Sequence, residues 1–353
     1  MTEATIAETT EARIERHVRE TPFVNLNDCT TSVPNEQGWA VHFDEEHHDK
    51  LREGGTTAVV HCLPSEVRED FRGGMKKLGL FHKQVEQFPG RYHLVQNADD
   101  LLDGPEGSVG VVLGFLNATM IEDDLDNVAL FHRLGIRTMH LSYNRGNLVG
   151  SGISEVRDGG LTIFGRRVVQ EMNRLRILID LTHTGARTAL DTIELTDSPV
   201  VYTHTACKAL NDHIRCVSDE QIDAVASVGG YIGIISGKFL RADIAEVGST
   251  IEDYLDHADH VIKVAGEDHV AVGLDVGDRM AGDEWRALDV HYPELFSGAT
   301  SEFARVFSTT ELWDFRQQKR EMVKAMIARG YDDRKIEKML GGNALRVFRA
   351  LWE

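Results

Sequence analysis

Eight short apolar runs rich in β-branched residues recur along the chain, at 23–27, 57–62, 109–116, 138–143, 177–183, 200–204, 231–236 and 270–275. Helical or loop-like sequence separates each from the next. Runs that are apolar throughout, rather than alternating, are expected of strands covered on both faces, as in a parallel sheet flanked by helices. Eight of them in 353 residues predict a closed (β/α)8 TIM barrel of the α/β class, read as one domain over 1–353. The helices between them are legible too. Residues 123–134 carry Leu125, Val128, Ala129 and Phe131 on one face, and 218–227 open on a Ser-Asp-Glu cap signature and stop at Gly229-Gly230. A helical extension is expected over about 1–20 and a Gly-containing loop over 280–306. Helices over 309–329, 332–340 and 343–352 are expected to cover the barrel.

Composition excludes several classes of function. With 38 basic and 57 acidic residues the net charge is −19, which repels phosphate backbones, so no nucleic-acid partner is expected. The excess is spread along the chain, as a solvated surface would have it. No apolar run reaches the ~18 residues a membrane span needs, and the acidic start MTEATIAETTEARIERHV lacks an apolar core for a signal peptide. A soluble, cytoplasmic protein is expected. Cys29, Cys62, Cys207 and Cys216 form no CxxC pair, so neither a zinc knuckle nor a disulfide framework is supported.

The active sites of barrels lie at the C-terminal ends of their strands. Two of the runs end in histidine, Asp180-Leu181-Thr182-His183 and Tyr202-Thr203-His204, and the eighth ends in Asp275. Polar residues delivered repeatedly to one rim are not a packing requirement, because an unpaired buried polar group costs about 1–3 kcal/mol. His183 and His204 are therefore candidate ligands for a divalent metal, since neutral imidazole suits Zn, Mn, Fe or Ni. Asp275 is placed to orient or deprotonate water. His61 is a candidate for binding substrate, for the metal or for packing alone. Arg215, in the loop after the sixth strand, could clamp a carboxylate or form a surface ion pair. His47, His48 and His213 are expected at the surface.

At these residues the chain resembles the membrane (renal) dipeptidase family of the amidohydrolase superfamily, from about residue 20 to the C-terminus. The match is carried by 131–137 (FHRLGIR), Asp180-Leu181-Thr182-His183, Thr203-His204-Thr205, Arg215 with Asp219-Glu220-Gln221, Gly229-Gly230, and Gly342-Asn343 with Arg346. The resemblance implies a (β/α)8 barrel, usually with two zinc ions, that hydrolyses dipeptides bearing a free C-terminal carboxylate. It matches His183 and His204 to the two later metal histidines, Arg215 to the carboxylate-binding arginine and Asp275 to the catalytic aspartate. Three departures stand out. The His-x-Asp of the first strand is replaced within Asn25-Leu26-Asn27-Asp28-Cys29, leaving Leu26/Asp28 or Asn27/Cys29. The bridging glutamate of the third strand falls on Leu116. A substrate-contacting histidine after the fourth strand becomes Tyr143.

Without a bridging carboxylate two cations repel each other, so one divalent ion, Zn, or none is expected, with Asp28 taken as the third ligand beside His183 and His204 and His61 or Asp275 as its alternatives. Asp275 and Tyr143 are the expected catalytic groups, and Arg215, Tyr143, Asn144 and His61 the expected substrate contacts. The function so read is hydrolysis of an amide in a small carboxylate-bearing substrate, a dipeptide or amino-acid derivative. The rivals are a mononuclear or metal-free enzyme of another reaction type (lyase, decarboxylase or other hydrolysis), or a non-catalytic binding protein on the same scaffold. A homodimer is expected, with Trp313, Phe315 and Trp352 offering either a dimer surface or a cap on the barrel.

Overall fold

A computed structural model of the chain describes residues 8–28, 43–63, 70–237, 239–243, 248–276, 312 and 314–353, together with the backbone of 33–35 and 38–40. Each of the eight apolar runs forms a barrel strand. These are β1 (Val24–Asn25), β2 (Ala58–Leu63), β3 (Val109–Phe115), β4 (Ile136–His140), β5 (Leu178–Asp180), β6 (Val200–Cys207), β7 (Ile232–Ile234) and β8 (Val270–Val272). They pair in parallel and in chain order. The seam between β1 and β8 is joined by Leu26 N to Val272 O (3.0 Å) and Asp275 N to Asn27 O (3.2 Å). The result is the expected (β/α)8 barrel with extra C-terminal helices.

Alternation along the strands sorts the side chains into two layers. Val24, Leu26, Val60, Val112, Leu178 and Val201 fill the lumen, and Ala344, Val347, Phe348 and Leu351 of the last helix join the same cluster. Residues such as Val59, Val111, Met139, Ile179 and Ile232 face outward into the helical layer. Each such side chain, fully buried, contributes about 1.5–3 kcal/mol relative to exposure.

Local signals explain the helices. The helix Asp219–Ser227 starts on a capping box in which the Ser218 hydroxyl and the Gln221 side chain each serve the other's backbone amide. It stops where Gly229 takes φ +79° and where any Cβ at position 230 would stand 1.8 Å from Val200 O. The two helices expected over 332–340 and 343–352 are one continuous run. Asp333–Glu337 passes into a π-turn at Lys338–Gly342 and on into Asn343–Trp352. The adjacent Gly341-Gly342 pair weakens the regular ladder there, and the wider turn brings Gly341 to the carbonyl of Pro22, 2.7 Å from where a Cβ would stand. The expected 309–329 helix is described as Gln318–Ala328. The 280–306 loop and Cys29 lie outside the described residues.

The surface expectation for histidines is corrected at two sites. His47 and His48, on the helix Glu45–Glu53, are buried, because Asp28 and the carbonyl of Gly107 give their rings hydrogen-bond partners inside. His213 is half-buried and stacks on Phe239. Of the three aromatics considered for a dimer surface, Phe315 is buried edge-on against His47. Trp352 stacks on Phe348 and donates to Arg176 O, and Trp313 lies outside the described residues. Among the described residues no helix is long and apolar enough to cross a membrane.

Candidate active site

The site begins with Asp180 at the end of β5. Its Oδ1 accepts from the amides of Thr182 (2.9 Å) and Thr203 (3.2 Å), and its Oδ2 accepts from the Thr203 hydroxyl. This carboxylate therefore binds β5 to β6 at their upper ends. Burial alone would raise its pKa. The neighbouring His140 and His204 and the Thr203 hydroxyl hold it well below the usual carboxylate range instead.

On β6, Tyr202 pairs with Ile232 and Thr205 with Ile234, so Thr203 and His204 together oppose the single residue Gly233. This is a β-bulge, a device that re-aims a side chain. It requires glycine opposite: a Cβ at 233 would meet Thr203 O at 2.0 Å, and one at 273 would meet the same oxygen at 1.7 Å. His183 follows β5 in the left-handed conformation at φ +66°. The two rings meet with Nε2 atoms 3.1 Å apart.

Hydrogen-bond partners assign the tautomers. The Thr203 hydroxyl gives its proton to Asp180, so it accepts from His204 Nδ1 (2.8 Å). His183 Nδ1 donates to Asn144 Oδ1 at 2.6 Å. Both Nε2 atoms then carry lone pairs, and that of His183 accepts from Arg215 Nη2 at 3.1 Å. Two nitrogens on one tetrahedral zinc, each at ~2.0–2.1 Å, lie about 3.3 Å apart, close to the observed spacing, so the pair fits a divalent ion. Burial pushes the His204 pKa down to about 3, with Arg215 and His140 adding to the fall and Asp275 and Asp180 opposing it. Its imidazole is neutral and able to act as a ligand.

Around the pair stand the other rim residues. Arg215 is buried, and its Nη2 lies 3.1 Å from His183 Nε2. Burial lowers its pKa while Asp275 and Tyr143 oppose the shift. The Tyr143 ring lies 4.3 Å from the His183 ring. Asp275, at φ +55°, accepts from Asn27 Nδ2 at 2.8 Å. Asn144 is also left-handed, at φ +61°. Three non-glycine residues of one site thus hold a conformation that costs about 1 kcal/mol each, the kind of strain that collects at functional sites.

The structure brings His183, His204, Arg215, Tyr143, Asn144 and Asp275 together. His61 and Asp28 stand beside each other, with His61 Nδ1 3.2 Å from Asp28 O. Val60 and Cys62 face the lumen, so His61 between them faces outward, stacked on Phe81 and edge-on to Phe43. Burial takes its pKa down to about 4. Asp28 Oδ2 lies 2.8 Å from His47 Nε2. Leu26 lies in the lumen cluster and Leu116 packs against it, so both departures put hydrocarbon at the top of the barrel. One residue escaped the sequence reading. His140 ends β4, fully buried, with Nε2 2.9 Å from Asp180 Oδ2. His140, Asp180 and His204 can each offer one ligand atom within 4.8 Å of the others. A third strand ending in histidine was the available signal, hidden because that run was extended to Tyr143.

A barrel that gathers imidazoles, a carboxylate and a guanidinium at its C-terminal rim has the architecture of the metal-dependent hydrolases. The model of the membrane dipeptidase family (Peptidase family M19) matches residues 13–298, and the chain belongs to that family. An uncharacterized dipeptidase of Schizosaccharomyces pombe is 27% identical over 268 residues, 70% of this chain and 64% of its own length. The chain thus spans less than two thirds of that relative. Dipeptidase verJ of Clonostachys rogersoniana is 24% identical over 326 residues, 88% of this chain and 76% of its own. Among solved structures, an amidohydrolase from Pseudomonas aeruginosa superposes with a TM-score of 0.82 at 29% identity, covering 96% of this chain and 99% of that one.

Proposed function

We propose that the chain is a metal-dependent hydrolase that cleaves an amide bond in a small substrate bearing a free carboxylate, a dipeptide or an amino-acid derivative. It works with one divalent ion, zinc. The observation that carries this reading is Arg215, whose buried guanidinium lies 3.1 Å from the imidazole pair. A positive group held beside a metal-competent pair suits a substrate whose carboxylate lies next to the reacting amide. His183 and His204 hold the ion, which when bound supplies Lewis-acid polarisation of a carbonyl and lowers the pKa of water. Arg215 pairs with the substrate carboxylate in a two-pronged hydrogen bond. Asp275, oriented by Asn27, takes the proton of the attacking water and returns it to the leaving amine. Tyr143 packs on His183 and faces the substrate, and Asn144 fixes the His183 tautomer. The working form is read as a cytoplasmic homodimer, which light scattering on the purified chain checks.

The test is a panel of dipeptides offered to zinc-loaded protein, each paired with its C-terminally amidated form. Cleavage that needs the free carboxylate, with KM raised about 100-fold in Arg215→Met and activity abolished in His183→Ala, is expected. A folded, metal-loaded protein that cleaves nothing on the panel, or that ignores amidation, overturns the reading.

A further inference from the structure

The rim pair leaves the ion's remaining ligands unassigned, and the positions after β1 and β3 matched to lost donors carry Leu26, in the lumen cluster, and Leu116, packed against it. We propose that the ion is held by His140, Asp180 and His204, deeper in the barrel and on one side of it, with His183 completing the set from above. This rests on the metal-dependent reading just given.

Three observations carry it. All three side chains are buried, at 0%, 0% and 1% exposure, and can bring one ligand atom each within 4.8 Å of the others. His140 Nδ1 donates to Phe115 O at 3.2 Å, which turns Nε2 toward Asp180. That Nε2 has no hydrogen-bond partner, although Asp180 Oδ2 is 2.9 Å away. Nε2 and Oδ2 thus meet with no aligned proton between them, although Oδ2 already accepts from the Thr203 hydroxyl, and buried polar atoms are normally satisfied. One cation satisfies both. Asp180 is also held in place, because its Oδ1 accepts from the Thr182 and Thr203 amides while Oδ2 accepts from the Thr203 hydroxyl and faces His140. Such outer hydrogen bonds are what orient metal ligands elsewhere. Two imidazoles with a carboxylate, extended by a third imidazole, make a nitrogen-rich set suited to zinc. The lost donors on β1 and β3 are thereby replaced by one gained on β4.

Crystals of the zinc-loaded chain, measured at the zinc edge, locate the ion directly. An anomalous peak within bonding distance of His140, Asp180 and His204 is expected. A peak that touches His183 and the rim without His140 overturns the inference and leaves the hydrolase reading standing. In solution, His140→Gln should weaken zinc binding more than 100-fold, beyond the ~10–100-fold seen on losing an outer-shell partner. Unchanged affinity overturns the inference. His140→Cys loaded with cobalt gives a positive readout: a thiolate-to-cobalt charge-transfer band is expected, and a folded, cobalt-bound variant without it counts against His140 as a ligand. If the ion sits at His140 but no dipeptide is cleaved, the site stands and the proposed reaction falls. A folded chain that takes up no divalent ion sinks both.

Discussion

Asn27 orients Asp275 without adding charge to the site, through an amide donated to one carboxylate oxygen at 2.8 Å. Asn27→Val should therefore leave zinc affinity unchanged while kcat falls on the order of 10–100-fold, since a misaligned general base loses most of its ~10²–10⁴-fold contribution. Steady-state kinetics beside a zinc titration check this, and a parallel loss of metal would refute it. At this scale the sequence was legible where histidine follows an apolar run, as at His183, three residues past β5, and His204, inside β6. It misled at His140 because β4 stops at residue 140 and the apolar run continues to Tyr143. Asp28, expected as a ligand by position, also has its Oδ2 against His47, a contact that depends on where the helix Glu45–Glu53 docks.

Among the elements, the strands were legible because each is buried on both sides and so apolar throughout. The bulge in β6 was not, because it arises from pairing between strands rather than from composition. Its dependence on close backbone approach yields a test. Gly273→Ala should destabilise the fold by about 1–3 kcal/mol or more, as overpacking does, since the added carbon would stand 1.7 Å from Thr203 O. Urea unfolding measures it, and an unchanged midpoint would show that β8 can move away from β6. Lys319 plays a comparable part at the opposite end of the barrel. Its ammonium donates to the carbonyls of Val18 (2.5 Å), Thr21 (2.6 Å) and Gly55 (3.4 Å), tying the helix Gln318–Ala328 to the N-terminal helix Thr10–Glu20 and the turn before β2. Lys319→Met leaves those acceptors unpaired and should cost about 1–3 kcal/mol, read as a lower thermal midpoint. Nothing in the surrounding Gln-Lys-Arg sequence distinguishes this lysine from a surface one.

For the molecule as a whole, acid stability is set in part by buried neutral histidines. Burial lowers the pKa of His257, which accepts from the amide of Cys207 and donates to Leu240 O, and takes His61 from 6.5 to about 4. As pH falls through 6.5 the unfolded chain binds a proton at His61, and the folded chain does so only near 4. Acid therefore favours unfolding across that window, by about 1.4 kcal/mol per pH unit from this one group. Urea midpoints should drop between pH 7 and pH 5, and His61→Phe should flatten the slope. A variant as acid-sensitive as the parent would rule His61 out as a source. The left-handed backbones of Asn144, His183 and Asp275 have a consequence for descent. Glycine would relax each of them, so once chemistry no longer holds these side chains in place, drift toward a more stable fold should reach these three positions early. In a related barrel, glycine at the aligned positions would be the mark of a lineage that has given the reaction up.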